Sequence, residues 1–199
     1  MNPAKPRIPS LKAQLATFGH CPVCDYHYVP ELPTDRKLHR EFHAEFLRPH
    51  YPKVDSRLYV FPPGEDIRVE PASPKWLHRL VYDRARALAS EEHYDFAQWR
   101  EDRPPDGEGI HALLLIEKSR AVGAAGFEYH KWTNYPHGWH LNFIWIATAW
   151  RRQGVLSKRW SRWLQTYGRF TIETPLSEAM QAFLAKTGHP PFDLSLKTD

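Results

Sequence analysis

The stretch Asn142 to Trp163, NFIWIATAWRRQGVLSKRWSRW, decides how this chain reads. Phe143-Ile144-Trp145-Ile146 is β-branched and aromatic, which suits a buried strand. From Leu156 onward the apolar residues fall at Leu156, Trp160, Trp163, Leu164 and Tyr167, the spacing of one helix face. Between them lies a basic bend, Arg151-Arg152-Gln153-Gly154. A strand that enters a helix through such a bend leaves backbone N–H groups unpaired at the helix N-terminus, a seat for an anion such as a pyrophosphate. An ordinary βα junction with a solvated basic turn fits the same pattern, so the flanking chain has to decide between them.

Downstream, Phe170 to Glu173 predicts a strand. Ser177 to Thr187 predicts a helix with Met180, Phe183 and Leu184 inward, closed by Gly188 and Pro190. Upstream, Asp66 to Glu70 alternates as a strand, and Ser73-Pro74 opens a helix with Trp76, Leu77, Leu80, Val81 and Leu88 on one face. His111 to Glu117 and Ala121 to Trp132 read as a hairpin about the turn at 118–120, whereas residues 91 to 110 carry little signal. The order β, α, β, β, β, α, β, α predicts a mixed sheet flanked by helices, class α+β (α/β).

The N-terminal region carries Cys21-x2-Cys24, fourteen intervening residues, then His39-x3-His43. Thiolates and imidazoles at this spacing are the ligands tetrahedral zinc prefers, and His39 and His43 share a helix face. Pro33-Thr34-Asp35 supplies N-cap chemistry for that helix, Asp35 to Leu47, with Tyr28, Leu38, Phe42 and Phe46 as its apolar packing. Four protein ligands close the coordination shell, so the metal is structural, and the competing reading is a redox CxxC. The finger helix mixes Asp35, Glu41 and Glu45 with Arg36, Lys37 and Arg40, a poor phosphate surface. Nucleic acid is therefore a partner the sequence permits without requiring. The expected organisation is a ββα-like zinc finger at 11–50, a linker with one short strand (Arg57 to Phe61) at 51–65, and the mixed-sheet domain at 66–199.

A chain of 199 residues, 42% hydrophobic, can bury the core of one full domain with room for a small module. It has no apolar run of the ~18 to 20 residues a membrane span needs, and its first residues lack the apolar core of a secretory signal. The expected location is soluble and intracellular, cytoplasmic or, in a eukaryote, nuclear. A net charge of +4 suits an anionic cofactor or partner.

The element order, with an Arg-x-x-Gly bend after the fourth strand, resembles the GNAT acetyltransferase fold. With the finger in front, the chain resembles the catalytic part of the cohesin (sister-chromatid cohesion) acetyltransferases, collinearly from about Leu11 to His189. The likeness runs through Phe18-Gly19, the finger spacing, Val122-Gly123, Glu128, Trp132, Ile144-Trp145-Ile146, Arg151-Arg152, Thr174-Pro175 and Phe183. The resemblance implies acetyl-CoA as cofactor, structural Zn2+, and a lysine of a protein substrate, SMC-type or otherwise chromosome-associated, as acceptor. It implies that Ile144, Trp145 and Ile146 line the pantetheine arm. The amides of Arg152, Gln153, Gly154, Val155, Leu156 and Ser157 would hold the pyrophosphate, with added charge from Arg151 and Arg152. Glu173 is the first candidate for a general base and Glu128 the second, with Asn142 orienting the acetyl carbonyl or the acceptor.

The chain departs from the family at Leu156, where a small residue is usual, at Asn142 in place of serine, and at Ser161 in place of an acid. Ile172-Glu173-Thr174-Pro175 echoes the family's Ser-Asp-Pro only loosely. His130, His137 and His140 among Trp132, Tyr135 and Trp139 read as a substrate-facing aromatic loop ahead of a second metal site. Two other readings compete with protein acetylation: a small-molecule amine acetyltransferase, and a zinc-dependent protein or nucleic-acid binding module whose catalysis has weakened.

Overall fold

The computed structural model describes residues 18–62, 64–107, 109–131 and 138–188. The chain divides between Pro49 and His50 into two compact units.

The first unit pairs β1 (Gly19–His20) antiparallel with β2 (His27–Tyr28), followed by α1 (Pro33–Leu47). Gly19 is required where it stands: a Cβ there would lie 2.8 Å from the Pro30 ring. The helix begins at Pro33, earlier than predicted, with Leu32 at the N-cap and no side chain capping it. Asp35, expected at the cap, instead accepts from the Val29 backbone N–H at 3.0 Å and ties the strand exit to the first helical turn. No residue of α1 is buried, and Leu38 and Phe42 are exposed. The packing that exists is aromatic: Tyr28 stacks on His39 with centroids 4.2 Å apart, and Tyr26 meets Phe42 at 4.9 Å. Two-residue strands and a helix without a buried face cannot hold themselves together by apolar burial.

The second unit is built on a five-stranded sheet in the order β3 (Asp66–Val69), β4 (His111–Glu117), β5 (Arg120–His130), β6 (Gly138–Ile146), β7 (Thr171–Ile172). Neighbours are antiparallel except β6 and β7, which are parallel. Helix α2 (Lys75–Glu91) packs on one face, where Leu77, Val81 and Ala85 meet Val69, Leu114, Ala124 and Phe143. On the other face, Trp160 and Trp163 of α3 (Ser157–Tyr167) and Met180 and Leu184 of α4 (Glu178–Thr187) pack with Leu113, Leu115, Phe127, Leu141 and Ile172. Alternation along β4 sends Ala112, Leu114 and Ile116 to one core and Leu113 and Leu115 to the other, as a strand buried on both faces requires. This is the mixed sheet flanked by helices, class α+β, that the sequence predicts. The ring of Phe143 lies so close over Gly126 that a Cβ there would sit 2.3 Å from it.

Two expectations are corrected. The strand at Arg57 to Phe61 is a 3-10 turn, Ser56–Leu58, because the Asp55 carboxylate accepts from the Arg57 N–H at 3.0 Å and curls the chain there. Leu58 from the expected linker is buried in the α2-side core. Secondly, β6 starts at Gly138, well before Phe143, and β7 is only two residues long.

A buried ion cluster anchors α3. Arg159, 1% exposed, donates to Asp66 at 2.5 Å, to Glu117 at 2.8 Å and to the carbonyls of Val155 and Ile116 at 2.9 Å. Arg162 and the Trp163 indole N–H share the second Asp66 oxygen, each at 3.1 Å. Removing the central cation leaves two carboxylates without their buried partner. Arg159→Leu is therefore expected to cost about 3 to 5 kcal/mol, read as a lower denaturant midpoint with an unchanged slope.

Candidate functional site

In the first unit, the ligand atoms of Cys21, Cys24, His39 and His43 lie within 4.8 Å of one another. Cys21 Sγ is 3.4 Å from His43 Nδ1. The knuckle after Cys21 points its backbone N–H groups at the sulfur. Those of Cys24 and then Val23 bring the Cys21 thiol down to about 6, while burial pushes the Cys24 thiol up. His39 Nε2 is buried without a hydrogen-bond partner, which leaves its lone pair available to a metal. Two thiols, two imidazoles and an orphaned ring nitrogen around one point fit a closed tetrahedral zinc site.

In the second unit, the parallel ladder between β6 and β7 runs only through His140↔Thr171 and Leu141↔Ile172, ending with Glu173 N–H donating to Leu141 O at 3.0 Å. Beyond this the strands part, and a cavity of about 440 Å3 opens between them. Asn142 to Ile144 form one wall and Ile172 to Ser177 the other, with Met180 from α4. Tyr94, Phe96, Gln98 and Pro105 come from the segment in which the sequence showed little pattern.

The register of β5 against β6 shifts between Gly126↔Phe143 and Phe127↔Leu141, which makes Asn142 the extra residue of a bulge. Its Nδ2 donates to Glu128 at 3.0 Å, while its Oδ1 is buried without a partner. Glu128 also lies 3.5 Å from His130 Nε2. Glu173 lines the cavity, is 60% exposed, and receives His140 Nε2 at 2.9 Å. The structure thus brings together Asn142, Glu128 and Glu173. It adds His130 and His140, whose rings stack at 4.7 Å between the two glutamates. Their cross-strand positions could have been read from sequence only with the β5 to β7 register in hand. Trp132, Tyr135 and His137 of the expected aromatic loop lie outside the described residues.

The side chains of Ile144-Trp145-Ile146 divide. Ile144 lines the cavity, but Trp145 is buried on the α2 side against Ala87 and Ala147, and neither it nor Ile146 lines the cavity. At the bend, Arg152 and Gly154 both take left-handed conformations, φ 60 and 76. Lys158 N–H, bonded to Gly154 O at 3.0 Å, is the first paired amide. Residues 151–156 form consecutive tight turns, and among the described residues no close, well-aligned carbonyl accepts from the N–H groups of Arg152 to Ser157. Gln153 is turned away, its side-chain amide donating to Ala149 O at 2.7 Å. Arg151 is committed elsewhere: its Nε donates to Ile146 O at 2.8 Å and its terminal nitrogen pairs with Glu91 at 2.6 Å. Leu156 is half-buried and packs against the α3-side core with Val155. The bend itself contributes nothing to the lining of the 440 Å3 cavity.

Residues 10–45 match the family described as the zinc-finger of acetyl-transferase ESCO. That match spans all four clustered residues, Cys21, Cys24, His39 and His43. No curated protein matches the chain in sequence. Among solved structures, an aminoglycoside acetyltransferase from an uncultured soil metagenomic sample is similar at 16% identity and TM-score 0.45, over 68% of this chain and 97% of that one. An integron cassette protein from the mobile metagenome of V. cholerae is similar at 12% identity and TM-score 0.43, over 66% and 88%. A transcriptional regulator from Bacillus halodurans C-125 is similar at 14% identity and TM-score 0.40, over 67% and 97%. No helix among the described residues is long and apolar enough to cross a membrane.

Proposed function

We propose that the second unit is an acetyl-CoA-dependent N-acetyltransferase whose acceptor is a lysine side chain of a protein. The observation that carries this reading is the pairing of two features on either side of Ile146. The β6 edge opens onto a cavity where its ladder with β7 stops, and a run of unpaired amides follows at the head of α3. An open strand edge can take the amide-bearing arm of an acyl carrier as a further strand, and a run of free N–H groups can hold its pyrophosphate. The finger match supports acetyl transfer, since the family it matches is named for an acetyl-transferase, and the protein acceptor is what the sequence resemblance implies.

In this reading acetyl-CoA is a substrate held by the backbone of Asn142 to Ile146 and the amides of Arg152 to Ser157. Arg151, paired with Glu91, steadies the turn, and Arg152 supplies the cation. Leu156 contributes its amide while its side chain stays in the core. A lysine of pKa about 10.4 must lose a proton before attack, at a cost of about 4 to 5 kcal/mol at pH 7. Glu173 lines the cavity wall, which supports its role as the group that accepts that proton directly or through water. Glu128, already engaged by Asn142, orients that amide.

Isothermal titration of zinc-replete protein with acetyl-CoA tests the reading. One site per chain is expected for the wild type, and none for Gly154→Glu, which places a carboxylate among the free amides. The absence of wild-type binding would overturn the proposal.

A further inference from the structure

The two histidines between the candidate carboxylates have no place in the reading above. Leu141 and Ile172 turn to the α3-side core, so their neighbours His140, Thr171 and Glu173 project to the opposite face, where Glu128 stands directly across from His140. His140 is held at both ring nitrogens. Nδ1 lies 2.5 Å from Thr171 Oγ1, and Nε2 lies 2.9 Å from Glu173 Oε2. An ionised carboxylate can only accept, so the ring proton sits on Nε2 and the threonine hydroxyl donates to Nδ1. The His130 ring, itself beside Glu128, closes one flat side of the imidazole. We propose that His140 is the positioning residue of this site: it fixes the exposed Glu173 carboxylate against the cavity wall by a neutral N–H donor whose orientation Thr171 sets. The proposal rests on Glu173 being the base in the acetyl-transfer reading.

A carboxylate 60% exposed, with a long side chain, would otherwise sample many rotamers. The His140 ring is 13% exposed, and burial holds its pKa below the ordinary histidine value, against the opposing pull first of Glu173 and, more weakly, of Glu128; His130 adds to the lowering. At neutral pH the ring therefore donates a hydrogen bond without placing a positive charge beside the base. When the ring does gain a proton at lower pH, its charge stabilises ionised Glu173 and weakens it as a base, so the rate falls on the acid side.

The experiment has two arms. In the free protein, NMR titration of the imidazole resonances is expected to show the His140 midpoint falling in Glu173→Gln, because a charge that favours the protonated ring is gone. An unchanged midpoint would overturn the pairing. In the second arm, acetyl transfer to a lysine derivative is followed against pH. His140→Ala is expected to lower kcat by about 100-fold with acetyl-CoA affinity unchanged, and His140→Gln, which keeps a donor, to recover part of the loss. Wild-type kcat and acid limb in His140→Ala would overturn the positioning role. A wild type that transfers no acetyl would remove the proposed function alone, since the NMR arm still decides whether His140 holds Glu173.

Discussion

Replacing Glu173 by glutamine is expected to lower acetyl transfer by about 10² to 10⁴-fold, the usual contribution of a positioned general base. The substitution keeps size and hydrogen-bonding shape but removes the carboxylate proposed to accept the amine's proton. Because Glu173 is largely exposed, its replacement should leave the folded unit intact, and the loss should appear in kcat and kcat/KM alike. Affinity for acetyl-CoA should hold, since Glu173 lies on the β7 wall and the free amides lie at the head of α3. Glu128→Gln gives the contrast. Its carboxylate accepts from Asn142 and is flanked by His130; glutamine keeps an oxygen to accept from that amide but loses the charge, so the variant should act through acceptor orientation, with a smaller effect that falls mostly on KM. Steady-state kinetics of both variants across pH decides between the two carboxylates.

Removing zinc is the second large effect. The finger has strands of two residues each and no buried residue in α1, so its order depends on the four ligands at its centre. A structural zinc of this type contributes on the order of 10 kcal/mol to the folding of so small a module. Strong chelators are expected to release one zinc per chain and to collapse the amide dispersion of the first unit. Cys24→Ser should have the same effect without a chelator. The sheet of the second unit has its own two cores and should keep its thermal transition. Retention of a folded finger after complete zinc removal would contradict the structural role.

The parts of this molecule legible in its sequence are those written in local spacing. Cys21, Cys24, His39 and His43 are readable because the metal dictates ligand type and separation. The element order is readable because β6 and α3 carry clean strand and helix periods on either side of the bend. Trp160 and Trp163 were readable as core for the same reason. What could not be read depends on partners far along the chain. Arg151 looks like a free phosphate ligand until Glu91, sixty residues earlier, is placed against it. The bulge at Asn142 is a property of the β5 to β6 register, and with it comes the bond from that side chain to Glu128. The wall formed by Tyr94, Phe96 and Gln98 has no periodicity because these residues belong to an irregular segment laid across the cavity. His130 and His140 looked like members of a loop because only pairing with β7 reveals their shared face.

The central claim is that the bend and the parted strands serve acetyl transfer. Its most direct test is mass spectrometry of lysine-containing proteins and peptides incubated with acetyl-CoA and either the zinc-replete wild type or Gly154→Glu. N-acetyl-lysine formed by the wild type and not by the variant is the expected result. Equal product from both, or no product from the wild type with any amine acceptor, would contradict it.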